Sequence, residues 1–305
     1  MSRAEGAAFS SAETQAFAQR LVLGTAQFGL AYGLNNAAGQ PDLTHVTDVL
    51  EAAHQAGLTM LDTAAAYGDS ELRLGQLLNG SSRFELVTKI PAGPPEMVRQ
   101  ALAESLVRLK RSAVYGVLFH AFEPLQAQPA AWAALQVARA AGQVRRIGVS
   151  LYHPQEAKWL LAKNWDFDLV QVPFSVFDQR FANVLPQLAA RGVEVHGRSA
   201  FLQGLLLRDP ADLPPFFEPL APKLTRLRAL CAAVNVPLSA ALLLFAAGAP
   251  GLARVVIGVD SVANLRENLA AAAYARAMKT LRPALLALAE PDDTFILPYA
   301  WPPRP

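Results

Sequence analysis

Cysteine is nearly absent: Cys231 is the only one in 305 residues. An intrachain disulfide is thereby excluded, and a reducing compartment, the cytoplasm, is the expected setting. Charge is scarce as well, with Asp, Glu, Lys and Arg making up 17% of the chain and a formal net charge of only +2. Lysine and arginine are dispersed, so the basic footprint of a nucleic-acid binder is missing. Hydrophobic residues reach 52%, yet the longest apolar runs, such as "LSAALLLFAAGA", are too short to span a bilayer. The opening "MSRAEGAAFSSAETQAFAQR" has no apolar core of the kind a secretory signal needs. No spacing among His45, His54, His153 and His196 suggests a metal site. The expectation is a soluble cytoplasmic protein whose partner is a small molecule, with no metal, membrane or nucleic acid, and with its oligomeric state left open.

What is present is an alternation. Short apolar runs recur: "RLVLGTAQFG", "LTMLDTA", "FELVTKI", "VYGVLFH", "VRRIGVS", "FDLVQVPF", "VEVHGRSA" and "ARVVIGV". Each suits a strand buried on both faces, as in a parallel sheet. Helical stretches separate them, among them "THVTDVLEAAHQAG" with an N-cap signal at Thr44 and a Gly57 stop, Ser70 to Leu78, "PPEMVRQALAESLVRLK", "PAAWAALQVARAAG", "PQEAKWLLAK" and "RFANVLPQLAARG". This order predicts an α/β fold, a (β/α)8 TIM barrel with its active site at the C-terminal ends of the strands. A doubly wound open sheet is the alternative. One barrel domain is expected over 1–305, with 1–20 an N-terminal extension, 208–222 a long loop and 290–305 a C-terminal loop that covers the mouth or trails into solvent.

The barrel reading makes four residues converge, because side chains at the ends of successive strands meet on one face. Asp62 ends the second strand, Tyr67 follows in the next turn, Lys89 ends "FELVTKI" and His120 ends "VYGVLFH". A phenol, an ammonium, a carboxylate and an imidazole are the parts needed for proton transfer coupled to hydride transfer. Taken singly, Asp62 and Lys89 read equally well as a structural ion pair, and His120 as a core histidine. Cys231 reads as a small apolar residue of a helix.

With these residues the chain resembles the aldo-keto reductase superfamily. "GLTMLDTAAAYGDSE" is similar to the family's stretch bearing its Asp and Tyr, "LVTKI" to that bearing its Lys and "VLFHAFEP" to that bearing its His; the resemblance runs from Leu21 to Asn268. It implies that Tyr67 is general acid in carbonyl reduction and general base in alcohol oxidation, that Lys89 assists the phenol, that Asp62 holds Lys89, and that His120 bonds the substrate carbonyl. A nicotinamide dinucleotide supplies the hydride, which no side chain can. NADP(H) is favoured and NAD(H) is possible.

For that cofactor the resemblance implies Gly24 and Thr25, with Ser150 and Gln171 at the carboxamide, although Leu151 replaces an expected Asn. Arg198 stands where an aromatic ring is usual. Ser199, Leu202, Gln203 and Gly204 follow strand seven, and Gly258, Asp260 and Ser261 follow strand eight, ahead of Asn264, Glu267 and Asn268 on the next helix. Phe28, Tyr32, Phe122 and Phe174 are expected in the substrate pocket, with Phe295, Tyr299 and Trp301 as further candidates and Arg180 as an anion contact or a loop salt bridge. The leading expectation is reduction of an aldehyde or ketone, a sugar or another small polar carbonyl compound. The alternatives are an NAD-dependent sugar or alcohol dehydrogenase and a cofactor-binding regulatory barrel with little turnover.

Overall fold

The computed structural model describes residues 11–34, 36 and 39–302. Eight strands form a closed parallel barrel in chain order. They are β1 (Leu21–Gly24), β2 (Met60–Asp62), β3 (Glu85–Ile90), β4 (Val114–Phe119), β5 (Val144–Ser150), β6 (Leu169–Pro173), β7 (Glu194–Arg198) and β8 (Arg254–Gly258). β1 closes the ring by pairing Gly24 with Gly258 on one side and Asp62 on the other. Every strand falls inside one of the eight apolar runs, because a strand buried on both faces must be apolar throughout.

Alternate residues face the barrel axis. Val22, Met60, Val87, Leu118 and Leu169 pack there as a fully buried layer. A second, larger apolar layer lies between the barrel and its ring of helices. The helix Leu238–Ala247 is apolar on all sides because Ala240 through Ala247 are all buried. Among the described residues, no single helix is long and apolar enough to cross a membrane.

Several elements differ from the sequence expectation. The helix Leu43–Gln55 is capped by Asp42, whose carboxylate accepts the His45 amide at 2.8 Å, and not by Thr44. The nearest free oxygen at the right backbone geometry wins over the nearest polar letter. The stretch 208–222 is not an irregular loop: it holds short 3-10 turns at Pro210–Asp212 and Pro215–Leu220 and then enters the helix Ala221–Ala233. Proline pre-sets φ for such turns, which is why a Pro-rich segment is ordered here. Within "RFANVLPQLAARG" only Leu185–Ala190 is helical. Residues 1–10 of the expected extension lie outside the described residues, while Ser11–Gln19 form a helix with Ala18 fully buried. In the C-terminal stretch Asp293–Ile296 is helical and Pro298–Ala300 is a 3-10 turn; 303–305 lie outside the described residues.

Candidate active site

At the C-terminal end of the barrel, Asp62, Tyr67, Lys89 and His120 all line one cleft of about 550 Å³. That volume is within the usual range of small-molecule sites. Asp62 is the last residue of β2, Lys89 the last but one of β3, and His120 directly follows β4. Lys89 is 1% exposed and donates to three oxygens: Asp62 Oδ2 at 2.6 Å, the Thr63 carbonyl at 3.0 Å and Tyr67 Oη at 3.3 Å. All three ammonium protons are therefore placed. Burial works against the charge on Lys89, but the Asp62 carboxylate and the Tyr67 oxygen more than offset it and hold the ammonium above its ordinary value. Asp62 Oδ1 accepts from Gln171 Nε2 at 2.8 Å. A carboxylate only accepts, so this bond fixes which way the Gln171 amide faces.

Tyr67 accepts from Lys89, and among the described residues nothing accepts its own proton. Its ring meets His120 edge-on at 5.7 Å. His120 is pulled down from 6.5 to about 4, first by burial and then by the positive charge of Lys89, so its imidazole is neutral near pH 7.

Two glycines set the Tyr67 turn. Gly68 has φ +55, and a Cβ on it would lie 2.2 Å from the Gly29 carbonyl oxygen; a Cβ on Gly29 would lie 1.9 Å from the Tyr67 carbonyl oxygen. Only two residues without side chains let these backbones approach so closely. Beneath the turn, Ser70 and Thr25 hydroxyls meet at 2.8 Å, and Thr25 Oγ1 donates to the Asp62 carbonyl at 3.0 Å. These buried hydroxyls tie β1, β2 and the helix Ser70–Leu78 into one support. No chemical pattern in the sequence announces Gly29 or Ser70; their role appears only when the backbones are in contact.

The cleft runs from these four residues towards β8. Gly24, Thr25, Ser150, Gln171, Arg198, Ser199, Gln203, Gly204, Gly258, Asp260, Asn264, Glu267 and Asn268 line it. Two expected cofactor residues do not. Leu202 is fully buried, its side chain turned into the core. Ser261 caps the helix Val262–Ala270 by accepting the Asn264 amide at 3.1 Å. The turn after β7 is strained, since Ser199, Leu202 and Gln203 all have positive φ (64, 48 and 54). Its Gln203 carbonyl accepts the Leu34 amide at 2.9 Å, so the loop after β1 meets the loop after β7.

Three expected substrate-pocket residues are corrected. Phe28 is 1% exposed and belongs to the core, Phe174 stacks on Phe245 at 5.8 Å, and Phe122 packs against Trp159 at 5.4 Å in a separate shallow depression. Of the aromatic candidates Tyr32 and Tyr299 line the cleft, joined by Tyr152 and Pro298, whereas Phe295 and Trp301 do not line it. The C-terminal segment is held at the mouth by Trp301 on Phe217, Phe295 on Phe216, and Arg180 bridging Asp178 and Asp293. Arg180 is thus a structural salt bridge.

The cleft suits an extended polar ligand such as a dinucleotide. Gln27 Oε1 and Asn268 Nδ2, on two residues that line it, are buried atoms with no partner. Unpaired buried polar atoms are costly and call for a hydrogen-bonding ligand. A Cβ on Gly258 would approach Gln27 Oε1 to 3.0 Å, so the missing side chain leaves the cleft open between them. Ser150, the last residue of β5, and Gln171 of β6 line the same cleft as Tyr67.

Comparison with known proteins gives the same fold and a family. The profile of the Aldo/keto reductase family matches residues 20–279. The D-threo-aldose 1-dehydrogenase of a Pseudomonas species is 29% identical over 266 residues, covering 72% of this chain and 80% of that protein. The NADH-specific methylglyoxal reductase of Escherichia coli K12 is 26% identical over 218 residues, covering 61% of this chain and 65% of that protein. The holo form of an aldo-keto reductase from Bacillus halodurans is similar in fold, with a TM-score of 0.76 at 21% identity over 90% of this chain and 93% of that one.

Proposed function

The chain belongs to the aldo/keto reductase family, and on that premise we propose that it reduces a sugar or another small polar aldehyde or ketone to the alcohol, with Tyr67 as general acid and a nicotinamide dinucleotide as hydride source. One observation carries the reading: Tyr67 Oη accepts from Lys89 at 3.3 Å and has no acceptor for its own proton among the described residues, so that proton is available to the cleft. Lys89 compensates the charge left on the phenol oxygen once the proton departs, and Asp62 keeps Lys89 in place. Neutral His120 donates a hydrogen bond to the same carbonyl oxygen and orients it without adding charge. When bound, the dinucleotide supplies the hydride to the carbonyl carbon. The phenols of Tyr32, Tyr152 and Tyr299 at the mouth offer hydrogen bonds to a polar substrate, in keeping with relatives named for an aldose and for methylglyoxal. A cytoplasmic setting, expected from the single cysteine, is consistent with this reading.

NADP(H) follows from the family resemblance, but one observation favours a second reading with NAD(H). The β8 end of the cleft carries Asp260 and Glu267, while the lysine and arginine that line the cleft, Lys89 and Arg198, belong to β3 and β7. Two carboxylates oppose a 2′-phosphate and suit a free ribose hydroxyl. NAD(H) use would also admit an oxidative sugar dehydrogenase. Tryptophan quenching on titration with NADPH and NADH, followed by loss of reduced-cofactor absorbance with methylglyoxal and a set of aldoses, tests both. Binding without turnover on any carbonyl would leave only the regulatory barrel; binding of neither dinucleotide would overturn the cofactor assignment.

A further inference from the structure

Charges near Tyr67 do not cancel. Asp62 and Lys89 pair at 2.6 Å and neutralise one another. His120, held down to about 4 by burial and Lys89, adds no charge near pH 7. That leaves Arg198, the last residue of β7. Its guanidinium lies 4.3 Å over the Tyr152 ring, and its Nη2 donates to the Leu151 carbonyl at 3.1 Å. Among the described residues no carboxylate forms an ion pair with it. The residue therefore presents an oriented, uncompensated cation to the cleft, and its charge is close enough to bear on both His120 and Tyr32.

A hydride donor must touch the carbon whose oxygen Tyr67 protonates. It is therefore confined to the part of the cleft beside Tyr67 and His120, and Arg198 lines the same cleft with its charge bearing on His120. The nicotinamide ring is neutral when reduced and carries a positive charge when oxidised. Resting on the proposed dinucleotide chemistry, we infer that Arg198 makes the protein hold the reduced dinucleotide more tightly than the oxidised one, which biases the site towards carbonyl reduction. In the reaction the C–H bond of the reduced ring breaks as a C–H bond forms at the carbonyl carbon, both electrons moving with the hydride. The carbonyl oxygen takes the Tyr67 proton, and the phenol is reprotonated from solvent. A ring oxidised there would gain one positive charge, and Arg198, with no carboxylate paired to it among the described residues, would oppose that charge across the cleft. Tyr152 and Leu151 fix the guanidinium so that it cannot swing away, which a lone lysine ammonium on a flexible stem would do more readily.

The test is binding, measured apart from turnover. Dissociation constants for NADH and NAD+, and for the phosphorylated pair, are determined by tryptophan quenching for the wild type, Arg198→Met and Arg198→Lys. The wild type is expected to favour the reduced form by about tenfold or more, and Arg198→Met to shrink that ratio by about tenfold, chiefly by tightening the oxidised form. Arg198→Lys, which keeps the charge, retains most of the ratio and serves as the reference if the methionine variant fails to fold. Equal affinity for the two redox forms in the wild type, or an unchanged ratio in Arg198→Met, overturns the role of Arg198 while leaving the dinucleotide assignment intact. Binding of neither form by the wild type overturns both.

Discussion

The two ends of the barrel each bury an ionic cluster, and the clusters differ in what they leave unsatisfied. At the N-terminal end Glu194 accepts from His196 Nε2 at 2.8 Å and Arg254 Nε at 3.1 Å with one oxygen. Its other oxygen takes the Tyr115 hydroxyl and lies 3.3 Å from Arg146 Nε. Arg254 also donates to the Gln19 carbonyl at 2.6 Å. Burial opposes the charge on Glu194, but hydrogen bonds from His196 and Tyr115 outweigh it and hold the carboxyl at about 2. None of these residues lines the cleft. At the other end Lys89 is saturated, but Tyr67 keeps a free proton and faces a cavity. Perturbed titration is common to both ends, so it does not by itself mark a site. Spare hydrogen-bonding capacity beside empty space does.

Each end contains a tyrosine bonded to a charged partner, so one chemical change can be made twice. Tyr67→Phe is expected to lower kcat/KM by about a hundred- to ten-thousand-fold, the span of general-acid catalysis, with dinucleotide affinity and Tm nearly unchanged. Tyr115→Phe is expected to leave kcat/KM within about twofold and to lower stability by about 1–2 kcal/mol, since Glu194 loses a donor. Steady-state kinetics and denaturant unfolding of the two variants check this. Full activity in Tyr67→Phe would erase the distinction between the two ends.

The carboxylates permit a second pairing. Asp62→Asn leaves the Lys89 ammonium, 1% exposed, without its counter-charge, and is expected to lower stability by about 3 kcal/mol together with a fall in kcat/KM. Glu194→Gln leaves Arg146 and Arg254, which keep some contact with solvent, and is expected to lower stability by less, about 2 kcal/mol, without altering kcat/KM of the folded protein. Loss of activity in Glu194→Gln at temperatures well below its Tm would mean that the lower cluster communicates with the site.

The parallel barrel was legible in the chain because strands buried on both faces leave unbroken apolar runs, and the four polar residues stood out by ending such runs. The aromatic pocket was legible only in part: the candidates Tyr32 and Tyr299 line the cleft, whereas Phe28, Phe122 and Phe174 do not. Phe28 sits in the short helix Ala26–Gly29 next to β1, yet its ring turns into the core; closeness along the chain does not fix side-chain direction. Tyr299 is held at the mouth by its own contacts with Tyr152 and His153 and by Trp301 and Phe295 docking on Phe217 and Phe216, contacts distant along the chain and without local signal. Gly29 was silent for the same reason. With a Cβ colliding with the Tyr67 carbonyl oxygen at 1.9 Å, Gly29→Ala is expected to shift the phenol and cost up to about a hundredfold in kcat/KM, whereas Gly80→Ala, on a surface turn with nothing within 4 Å, should leave kcat/KM unchanged.

Acid separates the two ends by the order in which they weaken. His120 has a folded value of about 4 against an ordinary 6.5, so as pH falls the unfolded chain takes up this proton first. Its contribution to stability is undiminished above about pH 6.5, declines between 6.5 and 4, and levels off below. Glu194 has a folded value of about 2 against an ordinary 4.5. Its depressed value stabilises the fold fully above pH 4.5, and this stabilisation is lost as pH falls towards 2. The C-terminal end therefore weakens first on acidification and the N-terminal end second. Urea unfolding from pH 7 to pH 3 should show the first decline flattened in His120→Asn and the second flattened in Glu194→Gln. If His120→Asn leaves the slope between pH 6.5 and 4 unchanged, the imidazole is not held neutral by its surroundings, and a cation beside the substrate carbonyl would have to replace the neutral donor in the proposed reaction.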